Sequence, residues 1–173
     1  MTTIGQNIND LSTPELIVDL NIVDKNYKTV SDAYSNSHLK MRTHTKNLKS
    51  PFLARRQVEA GGSNGGVCTA KVSEAEVMIE AGFNNILIAN QVVSDDKIER
   101  LCSLAKNADM KVGIDNVENL NNLSKFAVKH DVNLGVLIEI NTSMFRCGVR
   151  STEHAVDLAK AAYSLPNINL KGV

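Results

Sequence analysis

The sequence predicts an α/β fold built on parallel strands, with about six strands present. Three observations carry this expectation. From Leu39 onward, short apolar runs alternate with helix-length amphipathic stretches. Repeated β-α units of that length join parallel strands through right-handed crossovers. The runs at residues 86–89 and 134–140 are close to continuously apolar, as strands covered on both faces are. Two architectures satisfy these observations: an open doubly wound sheet, or part of a (β/α)8 barrel of the TIM type. No GxGxxG or P-loop segment follows any strand, which weakens the nucleotide-binding form of the open sheet.

The elements follow in order. Asp19 and Leu20 open a first helix, and residues 13–18 before it are expected to form a strand outside the barrel. The first barrel strand occupies residues 39–46. Period-2 alternation puts Lys40, Arg42, His44 and Lys46 on one face and Leu39, Met41, Thr43 and Thr45 on the other. Ser50 and Pro51 supply an N-cap and a proline at the first helical position. That helix runs to about Ala60, where the glycine-rich segment 61–66 ends it. Strand two lies at 67–70. Ser73-Glu74-Ala75-Glu76 reads as a capping box for a helix that stops at Gly82. Strand three, at 86–89, leads to a helix capped by Ser94 or Asp95, with Ile98, Leu101, Cys102 and Ala105 on one face. Strand four, at 110–114, is followed by an N-cap at Asp115-Asn116 and a helix carrying Val117, Leu120, Leu123 and Ala127. Strand five, at 134–140, passes through a loop to Val149. Ser151 opens a helix with Ala155, Leu158, Ala159 and Ala162, which Pro166 closes, and residues 168–173 begin strand six.

Composition excludes several functions. The chain has 173 residues, 43% hydrophobic and 22% charged, with formal net charge zero. That balance leaves no electrostatic footprint for nucleic acid or an anionic membrane. Aromatic residues make up 4% with no tryptophan, which argues against base stacking. No apolar run reaches a membrane span, and the polar residues 1–10 hold no signal-peptide core. Cys68, Cys102 and Cys147 are odd in number and form no CxxC pair, so a cytoplasmic location is expected.

The chemistry concentrates at two strands. If the apolar face of strand one packs on helices, its basic face points inward, where charges need partners or a task. The neighbouring cations Arg42 and Lys49 should favour the neutral amine at Lys46, which suits a lysine forming a Schiff base with a carbonyl cofactor. A solvated basic edge strand is the competing reading. In strand five, Gly135, Leu137, Glu139 and Asn141 share a face, so Glu139 should meet hydrogen-bond donors or one of Arg42, Lys46 and Arg146. A structural ion pair is the alternative to a catalytic role there. Arg146 follows the same strand and suits stabilisation of an oxyanion. His44 can stack on or bond to a ring. His38, His130 and His154 read as surface residues, and no histidine pair has metal-ligand spacing.

Taken together, Asp19-Leu20, Arg42-x-His44-x-Lys46-x-x-Lys49-Ser50, Lys71-Val72-Ser73-Glu74-Ala75-Glu76 and Arg146-Cys147-Gly148-Val149 resemble the D-threonine aldolase and D-serine dehydratase-like family, with its 3-hydroxy-D-aspartate aldolases as the nearest branch. The likeness runs from about Thr13 to the end. It implies fold-type III pyridoxal 5'-phosphate enzymes with a barrel of the alanine racemase N-terminal type. By resemblance, residues 1–173 are the N-terminal part of that barrel, and further strands and a C-terminal β domain are expected beyond them. Lys46 would be the Schiff-base lysine, with His44 in the cofactor pocket and Arg146 near the cofactor's phenolic oxygen. A divalent metal, Mn or Mg, would sit on the C-terminal part, and the full-length chain would form a homodimer. The implied reaction cleaves a β-hydroxy D-amino acid, such as 3-hydroxy-D-aspartate or D-threonine, to glycine and an aldehyde. A D-serine or 3-hydroxyaspartate dehydratase and a non-catalytic truncated cofactor-binding fragment are the alternatives. The chain departs from the family pattern at Leu48, where a second histidine is usual, and at 141–145, where bulkier residues replace glycine.

Overall fold

The computed structural model describes residues 4–173; the part of the polar N-terminus at residues 1–3 lies outside them. A 3-10 turn at Ile8–Asp10 and helix α1 (Leu20–Ser35) precede the barrel elements. These follow as β1 (Met41–His44), α2 (Thr45–Leu48), α3 (Pro51–Glu59), β2 (Ser63–Thr69), α4 (Val72–Glu80), β3 (Asn85–Ile88) and α5 (Asp95–Ala105). Then come β4 (Asp109–Ile114), α6 (Val117–His130), β5 (Leu134–Ile138), α7 (Thr152–Ser164) and β6 (Ile168–Gly172).

The strands form one sheet in the order β1-β2-β3-β4-β5-β6, and each neighbouring pair is parallel. This order separates the two architectures. A doubly wound sheet reverses direction at a switch point, whereas an unbroken order with right-handed crossovers puts the crossover helices on one side. The chain is therefore a partial (β/α)8 barrel. Among the described residues no helix is long and apolar enough to cross a membrane.

Register sorts the side chains into two faces. Thr43, Val67, Ile86 and Met110 are paired along one row and are buried. They face the helices, where Met78, Ile98, Leu101, Leu120, Leu123 and Leu158 complete the core. The adjacent row runs His44, Cys68, Leu87, Lys111, Gly135 and Asn169 and faces inward.

Local signals set the helix starts. Asp19 accepts from the Asn21 and Ile22 N–H groups, Ser50 from Leu53 with Pro51 at the first position, and Ser151 from His154. Other expectations need correction. Residues 13–18 form neither strand nor helix. β2 begins at Ser63, within the glycine segment, where it pairs with Met41 of β1; further along, Gly66 leaves room for Arg42 on the inner face, since a Cβ there would lie 2.1 Å from Arg42 Nη1. The capping box expected from Ser73 to Glu76 does not form, because α4 starts two residues earlier. Lys71 holds the N-cap position with no side-chain bond, while Glu74 Oε2 accepts from the Ala70 N–H at 2.8 Å.

Candidate active site

Parallel strands with helical crossovers gather their chemistry beyond the carboxyl ends of the strands. β1 ends there at His44, two residues earlier than the alternation predicts, and the chain turns at once into α2. Three contacts set that turn. Thr45 is buried and donates through Oγ1 to the Cys68 carbonyl at 3.1 Å. His44 acts as N-cap, its Nδ1 accepting the Lys46 N–H at 3.4 Å. Lys49 closes the turn in the left-handed region, at φ 46°, and donates its N–H to the Thr45 carbonyl. Lys46 therefore sits in the first turn of a short helix rather than on the strand. Its side chain is exposed and, among the described residues, makes no ion pair.

The inward basic face is shorter than expected. Lys40 Nζ turns away to the Tyr34 and Ser35 carbonyls at the end of α1, at 3.1 and 3.3 Å. Arg42 does point inward, where Nη1 donates to Asn85 Oδ1 at 3.0 Å and to the Val67 and Asn85 carbonyls at 3.3 Å. Asn85 Oδ1 also accepts from Lys111 Nζ at 3.1 Å, and Lys111 pairs with Asp109. Burial lowers the pKa of Arg42, yet these acceptors hold the guanidinium. The arginine is a structural anchor beneath the rim.

His44 is the titratable group of interest. Partial burial, and then the Lys46 cation, hold its pKa below the ordinary histidine value. The Nδ1 atom is an acceptor in the cap, so a neutral ring fits the geometry. Across the register lies Cys68, whose thiol burial pushes upward.

The second group lies beyond β5. That strand stops at Ile138, so Glu139 is the first residue past it. Its carboxylate pairs with neither Arg42, Lys46 nor Arg146. Two neutral donors satisfy it instead: Gln91 Nε2 reaches Oε2 at 2.7 Å, and Cys147 Sγ reaches Oε1 at 2.9 Å. Arg146 is exposed in the loop between these contacts. The structure brings His44 and Lys46 together. It sets Arg146 on the same carboxyl-end rim, four strands along the sheet from Lys46.

Sequence reasoning gave no site role to Cys147 or Asn85, left Gln91 open between a pocket residue and turn chemistry, and misplaced Asp115. Asp115 shared the expected cap with Asn116, but Asn116 alone caps α6, accepting from Glu118 and Asn119. Asp115 Oδ2 instead accepts from the Gly148 N–H at 2.8 Å.

Known proteins resemble this chain in sequence and fold. The chain is 39% identical over 171 residues to the 3-hydroxy-D-aspartate aldolase of Paracoccus denitrificans, covering 98% of this chain and 44% of that enzyme. It is 28% identical over 149 residues to the D-threo-3-hydroxyaspartate dehydratase of Delftia sp., covering 86% and 39%. The crystal structure of D-threonine aldolase from Filomicrobium marinum superposes with a TM-score of 0.91 at 38% identity, over 95% of this chain and 44% of that one. The chain thus spans less than half the length of these relatives. Residues 18–173 match the family model "Alanine racemase, N-terminal domain", and the chain belongs to that family.

Proposed function

We propose that this chain is the cofactor-binding part of a pyridoxal-phosphate lyase that cleaves a β-hydroxy D-amino acid, such as 3-hydroxy-D-aspartate or D-threonine, to glycine and an aldehyde. The observation that carries the reading is the exposed, ion-pair-free amine of Lys46 beside His44 at the carboxyl end of β1. The residues present fit the cofactor. Lys46 offers an amine for its aldehyde, His44 a ring of lowered pKa, and Arg146 an exposed cation for an oxyanion.

When bound, pyridoxal phosphate supplies an electron-withdrawing ring that stabilises charge at the substrate α-carbon. Lys46 Nζ would hold the cofactor through its aldehyde, and its amine could accept a proton at the rim. The His44 imidazole, fixed by the Lys46 N–H, presents a flat neutral surface that adds no charge beside the lysine. Arg146 would stabilise negative charge on the cofactor's phenolic oxygen. Among the described residues no group of three His, Cys, Asp or Glu side chains is placed to hold a metal. We assign the divalent ion, Mn or Mg, to residues outside this chain, together with its part in removing the β-hydroxyl proton. The full-length protein is proposed to be a homodimer. Its free cysteines suit a reducing cytoplasm.

Likeness to the dehydratase favours a second reading, loss of the hydroxyl as water to give a keto acid and ammonia. Product analysis separates the two. The cofactor assignment is tested by borohydride reduction of protein treated with pyridoxal phosphate, followed by peptide mass spectrometry. The adduct is expected on Lys46 and absent from Lys46→Ala; an adduct confined to other lysines refutes the assignment.

A further inference from the structure

We propose that Asp115 is a positioning residue for Arg146, acting through the backbone of Gly148. The inference rests on the cofactor reading above for Arg146, while the tether itself stands on geometry. Arg146 lies in the loop that leaves β5 and returns to α7. Its base is closed by two backbone bonds, Asn141 N–H to the Val149 carbonyl at 2.9 Å and Val149 N–H to the Glu139 carbonyl at 2.8 Å. Its tip turns through Ser143 and Phe145, both at positive φ and both with N–H groups on Asn141 Oδ1 at 3.1 Å. Between base and tip, Arg146 has its own neighbours for support. Cys147 Sγ is held by Glu139, and the Gly148 N–H by Asp115.

The Asp115 bond differs from the others because it comes from outside the loop. Asp115 follows β4 directly, and its half-buried carboxylate ties the neighbouring strand to the loop two residues past Arg146. Gly148 itself has φ +99°, and a Cβ there would stand 2.7 Å from Asn141 N and 2.8 Å from the Ile140 carbonyl carbon. The backbone is thus pressed against the loop base on one side and held by a charged acceptor on the other. That leaves one path for the segment 146–148. A hydrogen bond to a carboxylate is stronger than one between neutral groups, so its loss should free the arginine before it disturbs the core.

The test uses the intact protein with Asp115→Ala, Asp115→Asn and Gly148→Ala. Asn keeps an oxygen acceptor; Ala does not. Amide hydrogen exchange at Gly148 and alkylation of Cys147 are expected to speed up about 10-fold or more in Asp115→Ala and to stay near wild type in Asp115→Asn. Gly148→Ala should loosen the loop with Asp115 intact, so the loop can still be tested if Asp115→Ala folds poorly. With pyridoxal phosphate bound, the absorption band in Asp115→Ala should move as it does in Arg146→Ala. Unchanged exchange and alkylation in Asp115→Ala overturn the proposal, as does a band shift in Arg146→Ala that Asp115→Ala does not share. If Arg146→Ala leaves the band unmoved, the cofactor role of Arg146 fails, and the positioning role proposed for Asp115 fails with it. In that case faster exchange in Asp115→Ala still shows the tether, so the two failures are told apart.

Discussion

Asn85→Ala removes the acceptor that ties three strands together on the inner face. Asn85 Oδ1 receives Arg42 from β1 at 3.0 Å and Lys111 from β4 at 3.1 Å. Each is a bond from a charged donor, worth about 1.5–3 kcal/mol in a buried setting. The full sum overstates the loss. Arg42 keeps the Val67 and Asn85 carbonyls, and Lys111, with a side chain only 13% exposed, keeps Asp109. The lower end of the range fits, so the expected cost is about 2 kcal/mol. With a urea m-value of about 2 kcal/mol/M, the unfolding midpoint should fall by about 1 M. In an Arg42→Met background the same change should cost less, with a coupling of about 1 kcal/mol between the two sites. Equilibrium urea unfolding of the four proteins measures both quantities. A midpoint within error of wild type, or strict additivity in the double variant, would refute the argument that this cluster fixes β1 against β3 and β4.

Other outcomes follow from the same structure. The His44 ring should titrate below the ordinary value of about 6.5, because burial and then Lys46 disfavour its charge. Lys46→Met should move that midpoint upward in a histidine NMR titration; a downward move excludes Lys46 as a cause. A depressed histidine pKa means the unfolded chain binds more protons, so this contribution to stability is complete above about pH 6.5 and is lost as pH falls through the folded-state value. Leu120→Ala should cost about 2–5 kcal/mol, since Leu120 is fully buried on the sheet-facing side of α6. Alkylation at neutral pH should label Cys147 first. Cys68 and Cys102 are buried, and burial, with Glu99 second, pushes the Cys102 thiol up to about 11. Labelling of Cys102 ahead of Cys147 would contradict the packing of α5.

Much of the fold was legible because its signals are local. Asp19, Ser50 and Ser151 cap helices from their own first turns, and the apolar strands at β3 and β5 follow from burial on the helix-facing side. Even the inward direction of Arg42 and His44 follows from period-2 alternation once strand one is located. Alternation could not show where that strand stops. The Thr45 hydroxyl bonds a carbonyl 23 residues away, and that contact helps turn Lys46 off the strand and onto a helix. Likewise, a carboxylate on a half-buried face predicts donors but not which ones, and Gln91 lies 48 residues from Glu139.

By itself, the sequence determined the alternation of strand and helix, the capped helix starts and the identity of the basic segment around Lys46. Each depends on residues within one or two turns of one another. The spacing of strands and helices left the barrel and the doubly wound sheet both open; the family resemblance implied the barrel, and the unbroken strand order in the tertiary structure shows it. Tertiary structure alone decided the anchoring of Arg42 by Asn85, the pairing of Glu139 with neutral donors and the hold of Asp115 on Gly148. These contacts join groups that meet only after neighbouring strands have paired, so no spacing along the chain encodes them.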